Sequence, residues 1–304
     1  MKQQSLTISL AMLLLLMTGC FTGIESTPKI RDKELKKLPE RSQAESMFTG
    51  SITAEPFAYW KPGKRFRVTD PRIGIVFTSS SSPADSLRDR EIVYDSVSET
   101  ISVTGDSVYE IKFTDASGSK DYFMRVNSLQ NVEVPFTVEM SLVDNADSLL
   151  RGRTLYVVTP MWYDSKGEHT VSGGRRHIAV NIDSVVAGNS VFPALVVFTP
   201  SDEAGQYALY MSVGARSNAT RNFHTLFAFD NPRMQYPDIT DAVWNKIIHS
   251  RVQLEMTPDE CRLALGAPNV IRQLPTTAGM MEQWVYDDGK YLIFEDGFLV
   301  QYRQ

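Results

Sequence analysis

Polar and apolar residues alternate with a period of two along most of the chain, from Phe48 to about Pro237. In the segment Val108–Phe113, for example, Ile111 and Phe113 alternate with charged residues. Such alternation is typical of β-strands with one buried face. Gly, Ser, Asp and Asn interrupt the pattern at intervals of about ten residues, which favours small barrels or a sandwich. The strands predicted most clearly are Arg65–Val68, Val108–Phe113, Val134–Met140, Arg176–Ile182, Ala194–Phe198 and Tyr207–Val213.

The period changes after Pro237, where the sequence predicts two helices. Thr240 can cap a helix that runs from Asp241 to about Ser250. The second helix is predicted to begin with a capping box formed by Thr257 and Glu260, with Pro258 at its first position. Gly266 and Pro268 end it.

Short β segments follow the second helix, with turns at Asp288-Gly289 and Asp296-Gly297. Two helices followed by such a meander predict an α+β domain over residues 238–304, with the helices on a three- or four-stranded antiparallel sheet. The predicted strands are Val270–Gln273, Gln283–Asp287, Tyr291–Glu295 and Phe298–Tyr302.

The β-rich region also contains a weak internal repeat. Three blocks recur with offsets of 89, 88 and 85 to 87 residues. This predicts two β modules, over residues 48–140 and 141–237, which resemble bacterial SH3-like barrels in size and strand number. The alternative is one larger sandwich. The matching blocks are Gly63–Val68 with Gly152–Val157, Asp95–Val97 with Asp183–Val185, and Phe113–Val126 with Phe198–Val213.

The amino terminus is typical of an export signal, with an apolar run from Leu6 to Met17 that is too short to span a membrane. The sequence ending in Gly19-Cys20 resembles a bacterial lipobox. This resemblance implies a signal peptide over residues 1–19, cleavage between Gly19 and Cys20, and fatty acylation of Cys20 as the membrane anchor. Phe21 is not the aspartate that retains such lipoproteins in the inner membrane, so the resemblance implies the outer membrane, facing the periplasm. The alternative is an ordinary secretory signal.

Residues 20–47 are predicted to form a tether, because they carry many charges and few large apolar side chains. The net charge of the chain is −5. A nucleic-acid-binding protein needs concentrated positive charge, so nucleic acid is excluded as a partner.

Asp-Ser pairs occur six times, and five of them continue with Leu or Val. This pattern resembles the acceptor site for O-glycosylation of exported proteins in the Bacteroidota. The alternative is that Asp-Ser suits turns and strand ends. The serines concerned are Ser86, Ser96, Ser107, Ser148 and Ser184.

No residue pattern indicates catalysis or a cofactor. The four histidines lack metal-ligand spacing, so no metal site is predicted. The glycine-rich basic run Ser172–Arg176 leads into a predicted strand, which favours a hairpin turn over a phosphate loop. Cys261 lies on the apolar face of its helix, which indicates a buried structural thiol. The chain is therefore predicted not to be an enzyme.

The carboxy-terminal domain resembles the SmpA/OmlA family of outer-membrane lipoprotein domains, which includes the BamE subunit of the β-barrel assembly machinery. Two positions depart from that family: Glu255 replaces a usual glycine, and Cys261 a usual aliphatic residue. The resemblance implies a small, non-catalytic binding domain. It rests on Ile248, Val252, Met256-Thr257, Leu265-Gly266, Pro268, Trp284, Tyr286, Tyr291, Phe294 and Gly297.

Together these features predict a lipid-anchored envelope protein that binds or scaffolds another envelope protein. Aromatic side chains dominate interface energies, so Trp284, Tyr286 and Tyr302 are the predicted contact residues. The alternative is that at least two of these side chains belong to the sheet core, which fits Trp284 best. A second hypothesis is binding of peptidoglycan or another glycan in an aromatic groove around Trp162 and Tyr163.

Overall fold

A computed structural model describes residue 48 and residues 52–80, 87–102, 104–214, 220–276 and 279–304. In these residues the protein is mostly β, with three antiparallel sheets and few helices, as the alternating pattern predicts. Short 3-10 helices occur at Phe57–Tyr59, Pro71–Ile75, Pro232–Gln235 and Asp287–Gly289. No helix among the described residues is both long and apolar enough to cross a membrane.

The first sheet has six strands in the order β2-β5-β4-β3-β1-β6. Its inner face buries Phe66, Ile92, Phe113 and Tyr122 in one core. Alternate residues of β5 reach this core, whereas Val138 of β6 is buried in the core of the second sheet. The strands are β1 (Arg65–Val68), β2 (Phe77–Ser80), β3 (Glu91–Ile101), β4 (Ser107–Asp115), β5 (Asp121–Val126) and β6 (Thr137–Glu139).

The second sheet has seven strands in the order β13-β7-β10-β11-β12-β8-β9. Two helices accompany it, α1 (Met140–Leu150) and α2 (Phe223–Leu226), and both contribute to its core. The strands are β7 (Thr154–Val157), β8 (Trp162–Asp164), β9 (Thr170–Val171), β10 (Ile178–Ala187), β11 (Ala194–Pro200), β12 (Tyr207–Met211) and β13 (Phe227–Ala228).

These two sheets share one connectivity. If β9 is set aside, the six strands of each sheet follow the same spatial order, so that β1 corresponds to β7 and β4 to β11. The repeated sequence blocks occupy corresponding strands, and the Asp-Ser-Val block places Asp95 and Asp183 at a register shift in each sheet. Each sheet also has its own buried core. The two sheets therefore share their strand order and the position of one register shift.

The central strand β11 differs from its counterpart β4 in one respect. Both faces of β11 are buried, whereas β4 buries alternate residues only. Leu195 and Val197 form a small second cluster on the far face, against Ala208 and Tyr210. Tyr210 donates a hydrogen bond from its hydroxyl to the Gly167 carbonyl, at 3.1 Å, which fixes its ring over this cluster.

The period-two prediction is wrong for residues 140–150, which form helix α1. Leu142, Val143, Ala146 and Leu150 are buried, and this spacing matches one face of a helix. The apolar alternation predicted for Val134–Met140 is a strand only at Thr137–Glu139, because the chain turns into α1 immediately afterwards.

The carboxy-terminal part contains helices α3 (Asp241–Ile248) and α4 (Pro258–Leu265) and a four-stranded sheet in the order β14-β15-β16-β17. The capping box is present, since the Thr257 and Glu260 side chains each accept a hydrogen bond from the other residue's backbone N–H. Trp244 and Cys261 from the helices share one core with Trp284 from the sheet. The strands are β14 (Val270–Thr276), β15 (Gly279–Val285), β16 (Tyr291–Glu295) and β17 (Phe298–Arg303).

The turn between α3 and α4 requires a left-handed residue. Glu255 has a φ of 71°, and its N–H donates to the Leu299 carbonyl while the Leu299 N–H donates to Met256. The turn is therefore hydrogen-bonded to β17. Glu255 thus holds a backbone conformation that glycine adopts most easily.

We expect Glu255→Gly to stabilise the protein by about 1 kcal/mol. A non-glycine residue in the left-handed region costs roughly 1–2 kcal/mol, and the extra backbone entropy of glycine offsets only part of that gain. Urea denaturation of the variant and of the parent chain would measure the difference. A loss of stability would show that the Glu255 side chain contributes more than its backbone conformation costs.

Candidate functional site

The predicted contact residue Trp284 is not at the surface. Its side chain is 1% exposed, so its assignment as an exposed contact is wrong, and Trp284 itself belongs to the sheet core. The ring lies 4.9 Å from that of Phe294, and the Arg262 guanidinium lies 4.8 Å from its centre. Trp284 faces inward because it alternates with outward-facing residues along β15.

The two predicted tyrosines differ in accessibility. Tyr286 is partly buried, and its hydroxyl donates to the Gly266 carbonyl at 3.3 Å. Burial raises the pKa of this phenol above its ordinary value. Tyr302 is 40% exposed and lies on an edge strand. Of the three aromatic residues, Tyr302 is thus the one that offers a large accessible surface.

The outer face of the carboxy-terminal sheet presents apolar side chains that the sequence pattern did not single out. Directly paired residues share a face, and Phe298 pairs with Glu295, which pairs with Met281. Leu274 pairs with Met281 and extends this row to the other edge of the sheet. Phe298 is 52% exposed, and Leu274 is also exposed. The face opposite to the Trp284 core therefore carries an accessible strip that is apolar except for Glu295, which lies between Met281 and Phe298.

The second predicted group does not form an aromatic groove. Trp162 is 2% exposed, and its indole N–H donates to the Thr159 carbonyl at 2.9 Å, so its assignment to a surface groove is wrong. Its ring packs against Phe198 and Tyr207. Tyr163 is partly buried.

Arg221 holds Tyr163 in place. The Arg221 guanidinium lies 5.7 Å from the Tyr163 ring and 5.8 Å from the Phe192 ring, and its Nε donates to the Tyr210 carbonyl. Burial lowers the pKa of Arg221. The Arg221 guanidinium therefore contacts the rings of Tyr163 and Phe192 and the backbone of Tyr210. These contacts account for the position of Tyr163 without a ligand.

A cleft of about 790 Å³ lies between the first and second sheets. Trp60 and Phe66 line one side, with their ring centres 5.0 Å apart. Val191 and Phe192, at the tip of the β10–β11 hairpin, line the other side. The volume lies within the range of roughly 300–1,000 Å³ that is usual for ligand sites.

Lys64 supports the wall of this cleft. Its ammonium lies 3.1 Å from a Glu55 oxygen, 2.5 Å from a Glu139 oxygen and 5.3 Å from the centre of the Trp60 ring. The Lys64 side chain is almost fully buried, so these contacts replace its hydration. The network ties the segment that contains Glu55 to strands β1 and β6.

The loop that leads into β6 is conformationally strained at the cleft. Phe136 lines the cleft with a φ of 61°, which is uncommon for a bulky residue. Its carbonyl accepts hydrogen bonds from both the N–H and the hydroxyl of Thr69, each at 2.9 Å. The Arg72 guanidinium lies 4.8 Å from its ring. These contacts hold Phe136 in a conformation that it would not otherwise adopt.

A partly buried pair of polar residues, Arg176 and His177, lies where the second sheet meets the helices α3 and α4. The Nε2 of His177 lies 3.2 Å from the Leu263 carbonyl, and its ring centre lies 5.7 Å from that of Trp244. Arg176 donates from its guanidinium to the same carbonyl and from its backbone N–H to Ile248. Burial lowers the pKa of His177 to about 4 and that of Arg176 to about 10.

Three groups with metal-ligating chemistry meet at the β8–β9 turn: Asp164, Glu168 and His169. Asp164 accepts hydrogen bonds from the backbone N–H groups of Lys166, Glu168 and His169. These bonds, first of all the one from Glu168, lower its pKa. The carboxylate thus shapes the turn, and the cluster is exposed and acidic, which gives no independent sign of a cation.

Cys261 is fully buried, as predicted, and its thiol is free among the residues that the structure describes. Burial raises the pKa of its thiol to about 12. The thiolate that nucleophilic or redox chemistry requires is therefore scarce at neutral pH.

The predicted glycosylation sites remain a prediction. Ser96, Ser107 and Ser148 are exposed and Ser184 is partly exposed, while Ser86 lies outside the described residues, as do Gly19 and Cys20. The neighbouring aspartates make structural contacts. Asp183 accepts from Thr199 and Gln206, and Asp147 accepts from the Val185 N–H at 2.6 Å. These contacts support the alternative in which Asp-Ser serves turns and strand ends.

We expect Asp147→Ala to destabilise the chain by about 2 kcal/mol when it is made in a host without O-glycosylation. The substitution leaves the Val185 N–H without its charged acceptor, and such hydrogen bonds contribute roughly 1.5–3 kcal/mol. Ser148→Ala is the control and should change stability by less than about 0.5 kcal/mol. Thermal unfolding of both variants measures the effect. Equal stabilities would contradict a structural role for Asp147.

Comparison with known proteins adds no relative of this chain. It matches no protein-family description, no curated protein and no solved structure. The SmpA/OmlA and SH3-like resemblances therefore rest on the residues and strand patterns given above.

Proposed function

We propose that this chain is a lipid-anchored protein of the outer membrane that binds another envelope protein through the outer face of its carboxy-terminal sheet. The observation that supports the proposal most directly is the apolar strip of Leu274, Met281 and Phe298, because exposed apolar patches mark interaction surfaces. The lipobox-like sequence at Cys20 supports the anchor.

The charges on this face indicate the chemistry of the partner. Arg272 and Arg303 share the face with the strip, as does one acidic residue, Glu295. The complementary surface is apolar with an acidic border. Tyr302 pairs with the buried Leu292 and so lies on the other side of the sheet, which leaves none of the three predicted aromatic residues on this face.

The two β modules are proposed to be SH3-like barrels, and residues 238–304 a BamE-like domain. Their common strand order supports a duplicated small β fold. The shared core of α3, α4 and the four-stranded sheet supports the second assignment.

The test is site-specific photo-crosslinking in whole membranes. A photoreactive residue at position 298 should capture one envelope protein reproducibly, and the same residue at the exposed position Ile75 should not capture it. Phe298→Asp should then abolish co-purification of that protein, whereas Ile75→Asp should leave it unchanged. Equal effects of the two substitutions would contradict the assignment of this face.

Two further measurements separate the parts of the proposal. Cys20→Ala should release the chain from the membrane into the soluble fraction, and continued membrane association would contradict the lipid anchor. Sedimentation with purified cell wall would favour the peptidoglycan hypothesis, and we expect no sedimentation.

A further inference from the structure

The cleft between the first two sheets has a wall suited to an extended chain. Val138 and Glu139, which are neighbours in β6, both line the cleft. Neighbouring side chains of a strand point to opposite faces, so β6 presents its edge to the cleft. Among the residues that the structure describes, β6 is the edge strand of the first sheet and pairs with β1 alone. An edge strand offers backbone donors and acceptors to an added strand.

The charges around the cleft are complementary to a cation. Among the described residues, its lining includes the carboxylates of Glu55, Glu133 and Glu139 and no Lys, Arg or His side chain. Lys64, behind the wall, contributes one ammonium group to Glu55 and Glu139. Arg221 lies beyond the Phe192 ring and donates to the Tyr210 carbonyl. Glu55 and Glu139 share the single ammonium of Lys64, so these two carboxylates and the one cation together keep a negative charge at the cleft.

The cleft also has apolar surface for a side chain of the ligand. Val191 is 67% exposed at the hairpin tip, opposite the ring of Trp60. A chain that extends along β6 turns alternate side chains to opposite sides, so one set can meet the carboxylates while the other meets apolar groups.

We propose that this cleft binds an extended peptide segment of another protein in which basic and apolar residues alternate. The segment lies along β6, places a Lys or Arg side chain beside Glu55 and packs an apolar side chain against Val191. This site is separate from the outer face of the carboxy-terminal sheet, so either assignment can fail without the other.

The test uses a fluorescent decapeptide of alternating lysine and valine, with an alternating glutamate and valine peptide as the control probe. The full-length chain in a non-ionic detergent should bind the basic peptide, measured by fluorescence anisotropy, and bind the acidic peptide at least tenfold more weakly. Binding of the basic peptide should weaken as salt is added, because its charges are solvent-accessible. Equal binding of both peptides would overturn the proposal.

Two substitutions locate the binding. Val191→Lys should weaken binding of the basic peptide about fivefold, and Val191→Glu should strengthen it by a similar factor. Ile101→Lys places the same charge at another exposed position and should leave affinity unchanged. An equal loss in Val191→Lys and Ile101→Lys would show non-specific charge attraction and overturn the site. Binding of purified cell wall that depends on Val191, without binding of the basic peptide, would assign the cleft to a glycan and overturn the proposal.

Discussion

Gly174→Ala is expected to destabilise the protein by about 3 kcal/mol or more. A Cβ atom at Gly174 would lie 2.0 Å from the Pro160 carbonyl oxygen and 3.0 Å from Cγ of the buried Trp162. The oxygen belongs to the backbone, so the segment leading into β8 must move to relieve the contact. Overpacking of this kind usually costs roughly 1–3 kcal/mol, and a backbone clash lies at the upper end.

Gly173→Ala is the matched control, because the neighbouring position has open space around it and a φ of 84°. It should lose only the roughly 1–2 kcal/mol that a left-handed alanine costs. Guanidinium denaturation, followed by tryptophan fluorescence, compares the two variants. A Gly174→Ala protein as stable as Gly173→Ala would mean that the Pro160 segment moves without penalty.

Acidification from pH 7 to pH 4 should destabilise the junction around His177 by up to about 3 kcal/mol. The pKa of His177 is lowered to about 4 in the folded chain by burial, against an ordinary value of 6.5. The unfolded chain therefore takes up a proton between these values while the folded chain does not, and stability is lost as pH falls from 6.5 towards 4. One pKa unit corresponds to about 1.4 kcal/mol. Below pH 4 both states bind the proton, and this contribution becomes constant.

The variant His177→Gln removes the titrating group and should flatten this part of the pH profile. His169→Gln, at an exposed position, controls for loss of a histidine and should retain the decline. Urea unfolding at half-unit pH intervals measures both profiles. A decline of equal size in His177→Gln and the parent chain would assign the acid sensitivity to other groups.

Local sequence signals predicted the local structure well. The helix α4 begins at Pro258 because its cap and its first-position proline lie within a few residues of each other. The alternation around Val108 predicted β4, and the repeated Asp-Ser-Val block fell at corresponding register shifts. The helix α1 was missed, although Leu142, Val143, Ala146 and Leu150 have helical spacing, because this short segment lies between alternating strands.

The candidate sites could be predicted only in part. Trp284 and Trp162 were assigned to the surface from residue type, but burial depends on which face of a strand meets a core. The cleft brings together Glu55, Phe136, Val191 and Thr220 from four separate segments. The spacing of these residues along the chain could not predict that they line one cleft, because the cleft depends on how the two sheets pack.

The two-sided burial of β11 means that β11 and its counterpart β4 cannot be exchanged, although the two sheets share one strand order. In the repeat, Glu110 and Lys112 of β4 correspond to Leu195 and Val197 of β11. Lys112 pairs with Asp95 and Asp121 on an accessible face, whereas Val197 lies in a packed cluster. If β4 replaced β11, the charges of Glu110 and Lys112 would be buried in that cluster. Charged substitutions are therefore unfavourable on both faces of β11, but on only one face of β4.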